Sequence, residues 1–463
     1  SGVSVPRPNG PLKVAIVPLL RLKRAGGIIY RTAQVTVRNS HALWTLWRTR
    51  RLGDRKSCVV MARHGSHFRV LASTVAELRS RGWTVCVLVP PPPAVVPDYI
   101  AVHAQCVVGL WRLFHDRTIG QALLRGSRSR KATAGQAERW AHDVGLGSYA
   151  EAISGAVSHA RMVTARVDSV MRRLILAARP RLVVSVNETN PWVEGMAAAA
   201  RLLNTPSVNI QHGVIADTPL RAEFSFDAFC VFGEAYRDVL ASLGTPLEVI
   251  RIVGNPLMDS TSDGDRITEA EVAGSMADTP ARASSDLVSV LFAAQLSNPN
   301  LSDLALYESL RIVLEWAQTE PASRLVVKLH PLGEGKEFGY EVALRELAGA
   351  NVEVVRDVDL KQLIREADCT VVYSSTVGID AATLGKPVIV VNPLGAPEYL
   401  PLVEQGVALS ARDSTEFAHC IGAIRDGSFA MRDTEDFSQR YSFSQDGRVA
   451  ARIADVCEEL AGV

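Results

Sequence analysis

Residues 367–391 read ADCTVVYSSTVGIDAATLGKPVIVV, and this stretch decides the predicted fold. Its apolar run at 369–372 predicts a buried parallel strand, which breaks into three consecutive hydroxyl residues at 374–376. A helix of small residues follows and stops at a Leu-Gly-Lys-Pro sequence, before a second apolar run. The stretch is therefore predicted to be a β-loop-α-β unit, the building block of a parallel α/β sheet, with hydroxyl groups at its turn.

The hydroxyl turn at 374–376 has two interpretations. A helix N-terminus offers backbone N–H groups and the positive end of a dipole, and Ser or Thr there adds further donors, which together suit a phosphate. The same residue types also cap helices without binding any ligand, and such caps are common. The stretch alone leaves both interpretations open, so the ends of the other predicted strands have to decide between them.

Length and composition predict an ordinary globular protein of more than one domain. The chain has 463 residues, of which 47% are hydrophobic and 21% charged, and its net charge is only +1. Its seven cysteines are scattered without metal-ligand spacing, which predicts reduced thiols in a cytoplasmic protein. No run of 18 apolar residues occurs, so no membrane-spanning segment is predicted.

The charge is distributed unevenly, because residues 1–56 contain twelve Lys or Arg and a single acid. Such a basic arm suits an anionic membrane surface, an anionic substrate or nucleic acid. Trp44 and Trp47 lie beside three arginines, a mixture that favours a membrane-interfacial segment over a nucleic-acid reader. A solvated surface helix with two anchoring tryptophans is the alternative. Peripheral association with the inner face of a membrane therefore stays open as an expectation.

Polar residues follow several predicted strands of a first domain, which we place at residues 57–260. His64 and His67 follow its first strand, Glu188 follows a later one, and His212 follows the next. The carboxyl ends of parallel strands meet at one edge of a sheet, where ligands bind in open α/β folds. These four residues are candidate ligand or catalytic residues. Each of them can instead cap a helix or hydrogen-bond within the core.

A linker and a second α/β domain are predicted next. Residues 261–286 are rich in Ser, Thr, Asp, Ala and Pro, as linkers are, and residues 287–445 return to alternating strands and helices. Gln295 and Ser297 follow the first strand of this second domain, and His330 follows the next one. The predicted fold class is α/β, with two Rossmann-like domains facing a cleft.

The last predicted helix, at 446–463, is long enough to cross back from the second domain to the first. The hydroxyl turn at 374–376 lies one helical turn before Asp380, whose carboxylate can accept hydrogen bonds from ribose hydroxyls. His330 at a neighbouring strand end can donate to a phosphate oxygen. Together these residues predict a nucleotide site. Neither a GxGxxG fingerprint after a strand nor a P-loop is present, so a dinucleotide fold and a P-loop enzyme have no support.

Five short motifs occur in an order that matches a known family. They are Gln211-His212, His330-Pro331, Tyr373 to Thr376, SST-x-GID-x-x-x-LGKP from Ser374, and Asp446-Gly447-Arg448. With two Rossmann-like halves and a crossing helix, this order resembles GT-B fold glycosyltransferases. Within them it is similar to bacterial surface-polysaccharide transferases, which include capsular Kdo transferases, polysialyltransferases and CDP-glycerol glycerophosphotransferases. The resemblance covers about residues 57–460.

The resemblance implies a nucleotide-activated sugar, CMP- or CDP-linked, as the donor substrate, with glycerol phosphate as another group that such enzymes transfer. It assigns His330 and the three hydroxyls Ser374, Ser375 and Thr376 to donor binding. Asp380 would bind the ribose by analogy with GT-B proteins. The exit of the first strand in this domain adds two further candidate donor ligands, Gln295 and Ser297.

The first domain would then hold the acceptor, a surface polysaccharide, a lipid-linked sugar or another glycan. Glu188 is the preferred base for the attacking hydroxyl, with Glu194, His212 and His67 in reserve. The phosphate leaving group would be met by His330 and the helix N-terminus, so no metal or other cofactor is expected.

Two departures from the family leave the exact donor open. The basic arm has no assigned counterpart, and the loop after Gln295 lacks the glycines that are common at GT-B phosphate turns. A UDP-N-acetylglucosamine 2-epimerase-like enzyme is the main alternative, because that family shares a turn like Gly254-Asn255-Pro256 and an LGKP element. It places Ser-Gly-Gly where this chain has Ser375-Thr376-Val377, which argues against it. A non-catalytic GT-B module that binds polysaccharide or a membrane is the third reading.

Overall fold

The computed structural model describes most of the chain from residue 56 onward. The described ranges are 56–90, 97–109, 167–186, 191–215, 226–259, 287–296, 302–330, 337–395 and 400–463, with positions 136 and 139, but without positions 64, 103, 105, 169, 173, 177 and 357. The predicted arm, apart from Lys56, and the predicted linker lie outside these ranges. The domain boundaries therefore stay predictions.

Within the described residues, the first sheet is parallel and has seven strands in the order β3-β2-β1-β4-β5-β6-β7. Its strands are β1 (Ser57–Met61), β2 (Thr84–Val89), β3 (Cys106–Gly109), β4 (Leu182–Val186), β5 (Ser207–Ile210), β6 (Ala228–Val231) and β7 (Ile250–Ile252). The helices between them are α1 (Gly65–Ser80), α2 (Asp98–Ala101), α3 (Pro191–Leu202) and α4 (Glu234–Ser242). Continuous apolar runs form the central strands because helices cover both faces of the sheet.

The second sheet is also parallel, and the part of the chain that the structure describes gives it six strands in the order β10-β9-β8-β11-β12-β13. Its strands are β8 (Val288–Ala293), β9 (Ser323–Lys328), β10 (Val352–Val355), β11 (Cys369–Val372), β12 (Val388–Val391) and β13 (Ala408–Ala411). Its helices are α5 (Asp303–Thr319), α6 (Phe338–Leu347), α7 (Leu360–Glu366), α8 (Val377–Thr383) and α9 (Ser414–Arg425). The β-loop-α-β unit predicted at 367–391 is thus β11, α8 and β12, which confirms it.

Two C-terminal helices connect the halves of the molecule. Helix α10 (Thr434–Ser442) packs against α8 of the second half and α4 of the first. Helix α11 (Val449–Ala461) packs on α1, and its Val449, Ile453 and Cys457 are buried in the core of the first sheet. The predicted crossing helix is therefore confirmed, although it begins at Val449 and not at residue 446.

Asp259, in the first half of the chain, caps the crossing helix α11. Its buried carboxylate accepts hydrogen bonds from the backbone N–H of Gly447 and, at 2.9 Å, of Val449. The turn that leads to it needs a glycine, because Gly254 has a φ of +100° and a Cβ there would lie 2.8 Å from Cγ2 of Val449. A carboxylate at a helix N-terminus is stabilised by the free N–H groups and the dipole. The crossing helix is thus held by a residue from the domain that it returns to.

We expect Asp259→Ala to lower the free energy of unfolding by about 2 kcal/mol, because the buried N–H of Val449 and the partly buried N–H of Gly447 lose their acceptor. Urea unfolding followed by circular dichroism measures the loss. The matched control is Asp413→Ala, since Asp413 caps α9 on the surface through Thr415 and Glu416 and water can replace it. A loss no larger for Asp259→Ala than for Asp413→Ala would contradict the role of this contact in docking the helix.

Candidate functional site

A cavity lies between the two sheets at the carboxyl ends of their strands. It contains about 330 Å³ of open space, which includes solvent at its mouth. Residues from both halves and from α10 line it: His212, Gly213, Phe232, Tyr236, Asn255, Leu257, Thr376, Ile379, Asp380 and Tyr441. The polar groups of the two sheets therefore converge where the sequence predicted a cleft.

Gln211 fixes the turn that carries His212 after β5. The Gln211 side chain accepts a hydrogen bond from the backbone N–H of Phe232 at 2.7 Å and donates to the carbonyl of Gly213 at 2.7 Å. Its amide also hydrogen-bonds the phenol of Tyr236. Because Gln211 is buried and joins this turn to the residue that follows β6, it holds His212 at the cavity wall.

His67 lies behind His212, with the two imidazole centroids 4.5 Å apart in edge-to-face contact. His67 is only 1% exposed, so it faces His212 and not open space. The backbone N–H of Arg63 donates to Nδ1 of His67 at 3.4 Å, which places the proton of the neutral ring on Nε2. His67 is therefore placed to support His212.

The three hydroxyls of the predicted phosphate turn have different surroundings. The side chain of Gln295 accepts from the backbone N–H of Ser374 at 2.9 Å and donates to the Ser374 hydroxyl at 3.3 Å. Ser375 Oγ accepts from the N–H of Val377 at 3.3 Å, which closes a local turn. Thr376 makes no side-chain cap to α8 and lines the cavity. Of the three, Thr376 is the one that the structure places at the cavity wall.

Asp380 lines the same cavity one turn into α8, as the sequence predicted. Burial raises the pKa of this carboxyl from its usual value of 3.8 to about 7. Burial also raises the pKa of Tyr236 well above its ordinary value, and the nearby Asp380 carboxylate adds to that effect. A titratable group with such a shifted pKa at a cleft is a typical sign of a functional site.

Sequence reasoning missed the aromatic wall of the cavity. Tyr236 on α4 and Tyr441 on α10 are in edge-to-face contact at 5.8 Å, and Phe437 stacks on Tyr441 at 4.6 Å. Asn255 was noted only as part of a turn, yet it is buried and lines the cavity. The Gly-Asn-Pro turn after β7 could have identified Asn255 from the sequence. No local pattern identifies Tyr236 and Tyr441 as neighbours, because they are more than two hundred residues apart in the chain.

His330 follows β9 and is half-buried at the same edge of the second sheet. Its backbone N–H donates to Glu337 at 2.8 Å, and its carbonyl accepts from Arg356. It does not belong to the residues that line the cavity between the sheets.

Three predicted site residues, His64, Glu188 and Ser297, lie outside the described residues. Glu194 is exposed in the first turn of α3. Among the residues that the structure describes, no three His, Cys, Asp or Glu side chains form a group that could hold a metal ion. In the same part of the chain, no helix is both long enough and apolar enough to cross a bilayer.

Comparison with known proteins extends these observations. Residues 304–401 match the family model of capsule polysaccharide biosynthesis proteins. The chain has the GT-B fold. This is shown by the architecture of its two sheets and by three solved structures that share it. The sequence-based resemblance to GT-B capsule and surface-polysaccharide proteins is therefore confirmed. Comparison with curated protein sequences gives no match.

The three structures are a UDP-GlcNAc 2-epimerase, MnaA with UDP and a wall teichoic acid polymerase. UDP-GlcNAc 2-epimerase from Neisseria meningitidis, bound to UDP-GlcNAc, is 12% identical, with a TM-score of 0.56 over 87% of this chain and 100% of that one. MnaA from S. aureus with UDP is 13% identical, with a TM-score of 0.56 over 88% and 97%. The wall teichoic acid polymerase TagF soaked with CDPG is 12% identical, with a TM-score of 0.52 over 93% and 97%. At these identities the likeness shows the fold and leaves the reaction open.

Proposed function

We propose that this chain is a glycosyltransferase that moves a sugar from a nucleotide-activated donor to a surface-polysaccharide or lipid-linked acceptor. One observation carries the proposal. The part of the chain that matches capsule polysaccharide biosynthesis proteins, residues 304–401, contains His330, the hydroxyl turn at 374–376 and Asp380. Thr376 and Asp380 in that part line a cavity whose opposite wall includes His212 from the other domain.

The second domain binds the donor in this proposal. The Thr376 hydroxyl and the His330 imidazole donate to the phosphate oxygens, and Asp380 accepts from a ribose hydroxyl. The contribution of Ser374 to donor binding is structural, because Gln295 hydrogen-bonds both its backbone N–H and its hydroxyl and so fixes its position. A CMP- or CDP-linked donor is the finer form of the proposal. The related TagF, soaked with CDPG, supports a cytidine donor.

The first domain supplies the group that removes the acceptor proton. His212 lies at the cavity wall, and Glu188 follows the neighbouring strand β4. As the acceptor oxygen bonds to the anomeric carbon, its proton passes to one of these bases and the bond to the donor phosphate breaks. The departing phosphate is stabilised by donors from His330 and Thr376, without a metal ion or other cofactor.

A second candidate function has one observation in its favour. The Neisseria meningitidis epimerase has a slightly higher TM-score than TagF, and Asn255 of the turn shared with the epimerase family lines the cavity. A thermal-shift scan with CMP, CDP and UDP separates the candidates. Stabilisation by cytidine nucleotides supports the transferase, stabilisation by UDP alone supports an epimerase-like enzyme, and no shift with any nucleotide supports a non-catalytic binding module.

We expect His330→Ala to weaken CDP binding by about tenfold to a hundredfold, because one charge-assisted hydrogen bond to a phosphate is lost. Isothermal titration calorimetry measures the change, and circular dichroism checks the fold. His419→Ala is the control, since His419 is exposed on α9 of the same domain. An affinity unchanged from that of the wild-type chain would remove His330 from the donor site.

A further inference from the structure

An ion pair between a buried glutamate and a partly exposed arginine lies at the strand end that carries His330. Glu337 is 0% exposed, and its Oε2 is 2.7 Å from Nη2 of Arg356. A carboxylate buried without partners is strongly unfavourable, so a buried charge is either paired or serves a particular purpose. The other oxygen of the Glu337 carboxylate, Oε1, has a partner outside the ion pair.

Both members of the ion pair also bind the backbone of His330. The N–H of His330 donates to Oε1 of Glu337 at 2.8 Å, and Nη1 of Arg356 donates to the carbonyl oxygen of His330. The ion pair thus holds the backbone of one residue by both its donor and its acceptor. That residue is the candidate phosphate ligand of the second domain.

The regular hydrogen bonding of β9 ends at His330. The N–H of Leu329 still donates to the carbonyl of Val355 at 2.8 Å, whereas the N–H of His330, on the other side of the strand, donates to the Glu337 side chain. Glu337 precedes α6 but makes no side-chain cap to that helix. Its carboxylate is therefore directed to the strand end and not to its own helix terminus.

We propose that Glu337 and Arg356 are positioning residues that set the direction of the His330 side chain. Fixing the N–H and the carbonyl of a residue restricts its φ and ψ, and these set its Cα–Cβ direction. A group that binds a phosphate during transfer has to be held within a fraction of an ångström of its productive position. The fixing of His330 follows from the geometry alone, whereas its effect on nucleotide binding rests on the proposed function.

The chain offers a matched control on the same two strands. Arg324 and Glu353 form an ion pair across β9 and β10 with an N···O distance of 2.7 Å, and they lie at the other end of the strands from His330. If the Glu337–Arg356 pair merely stabilised the sheet, both pairs would affect stability and neither would affect His330.

The first arm of the test uses the chain without nucleotide. Arg356→Met is chosen because this arginine is partly exposed, and Glu337→Gln because it keeps an oxygen for the His330 N–H but loses the charge. We expect the ¹³Cε1–¹H resonance of His330, identified by its absence in His330→Ala, to shift or broaden in both variants and to stay unchanged in Glu353→Gln. An unchanged His330 resonance in both clamp variants would overturn the proposal.

The second arm measures CDP affinity by calorimetry in two backgrounds. Arg356→Met is expected to weaken binding about tenfold in the wild-type chain and to cause no further loss in His330→Ala, because it acts through His330. An equal loss of CDP affinity in the wild-type and His330→Ala chains would contradict the claim that Arg356 acts through His330. If the wild-type chain binds no nucleotide, the proposed function fails, and the resonance of His330 alone decides whether the clamp positions it.

Discussion

The variant Asp380→Asn is expected to be more stable than the wild-type chain at pH 8 and equally stable near pH 4. The folded protein raises the pKa of this carboxyl from 3.8 to about 7, so the folded state holds its proton more tightly than the unfolded chain does. Stability is then lost as pH rises from 4 to 7, and the neutral amide avoids that loss. The full difference corresponds to roughly 4 kcal/mol as an upper value.

Thermal unfolding of both chains between pH 4 and pH 8 measures this difference. Asp426→Asn is a control of opposite sign, since hydrogen bonds from Ser428 lower the pKa of Asp426 and the carboxylate stabilises the fold above its usual pKa. If the unfolding temperatures of Asp380→Asn and the wild-type chain changed with pH in the same way, burial would not destabilise the Asp380 carboxylate. The same variant should bind CDP more weakly, because the ribose acceptor has lost its charge.

Gly233→Ala is expected to destabilise the protein by about 3 kcal/mol. A Cβ at this position would lie 2.1 Å from the carbonyl oxygen of Arg440 and 2.9 Å from the carbonyl carbon of Tyr441. Both atoms belong to the backbone of α10, so no side-chain rotation relieves the clash. Helix α10 would have to move away from α4, and it would carry Tyr441 out of the cavity wall.

Urea unfolding and CDP titration of Gly233→Ala test this expectation together. Gly422→Ala is the matched control, because Gly422 lies in the middle of α9 and a Cβ there meets nothing within 4 Å. That substitution should be neutral or stabilise by up to about 1 kcal/mol. If the two alanine variants had equal stability and affinity, the close approach of α10 to α4 would have no role in shaping the cavity.

The sequence predicted the two-sheet fold because parallel strands buried on both faces are continuous apolar runs. Strand β11 is observed at Cys369–Val372, which are the bounds of the apolar run that predicted it. The last helix begins three residues later than predicted, at Val449, because Asp259 from the first half provides its cap. Residues far along the chain determine such a boundary, and local patterns do not contain them.

The candidate site was predicted only in part for the same reason. Asp380 and Thr376 were found because they lie at fixed spacing after one strand. The hydroxyl of Ser374 could not be assigned to Gln295, which is 79 residues away, without the packing of β8 beside β11. Tyr441 could not be assigned to the site from the sequence either, since the helix that carries it is mostly polar and reaches the cavity only by packing between the two halves.

The structure of this chain with bound CDP tests the central claim most directly. The account predicts that the phosphates lie within hydrogen-bond distance of His330 and Thr376, that the ribose hydroxyls lie against Asp380, and that the open side faces His212. A nucleotide bound away from these residues, or a cleft that stays empty in crystals soaked at millimolar CDP, would contradict the proposal that residues 304–401 form the donor half of a glycosyltransferase.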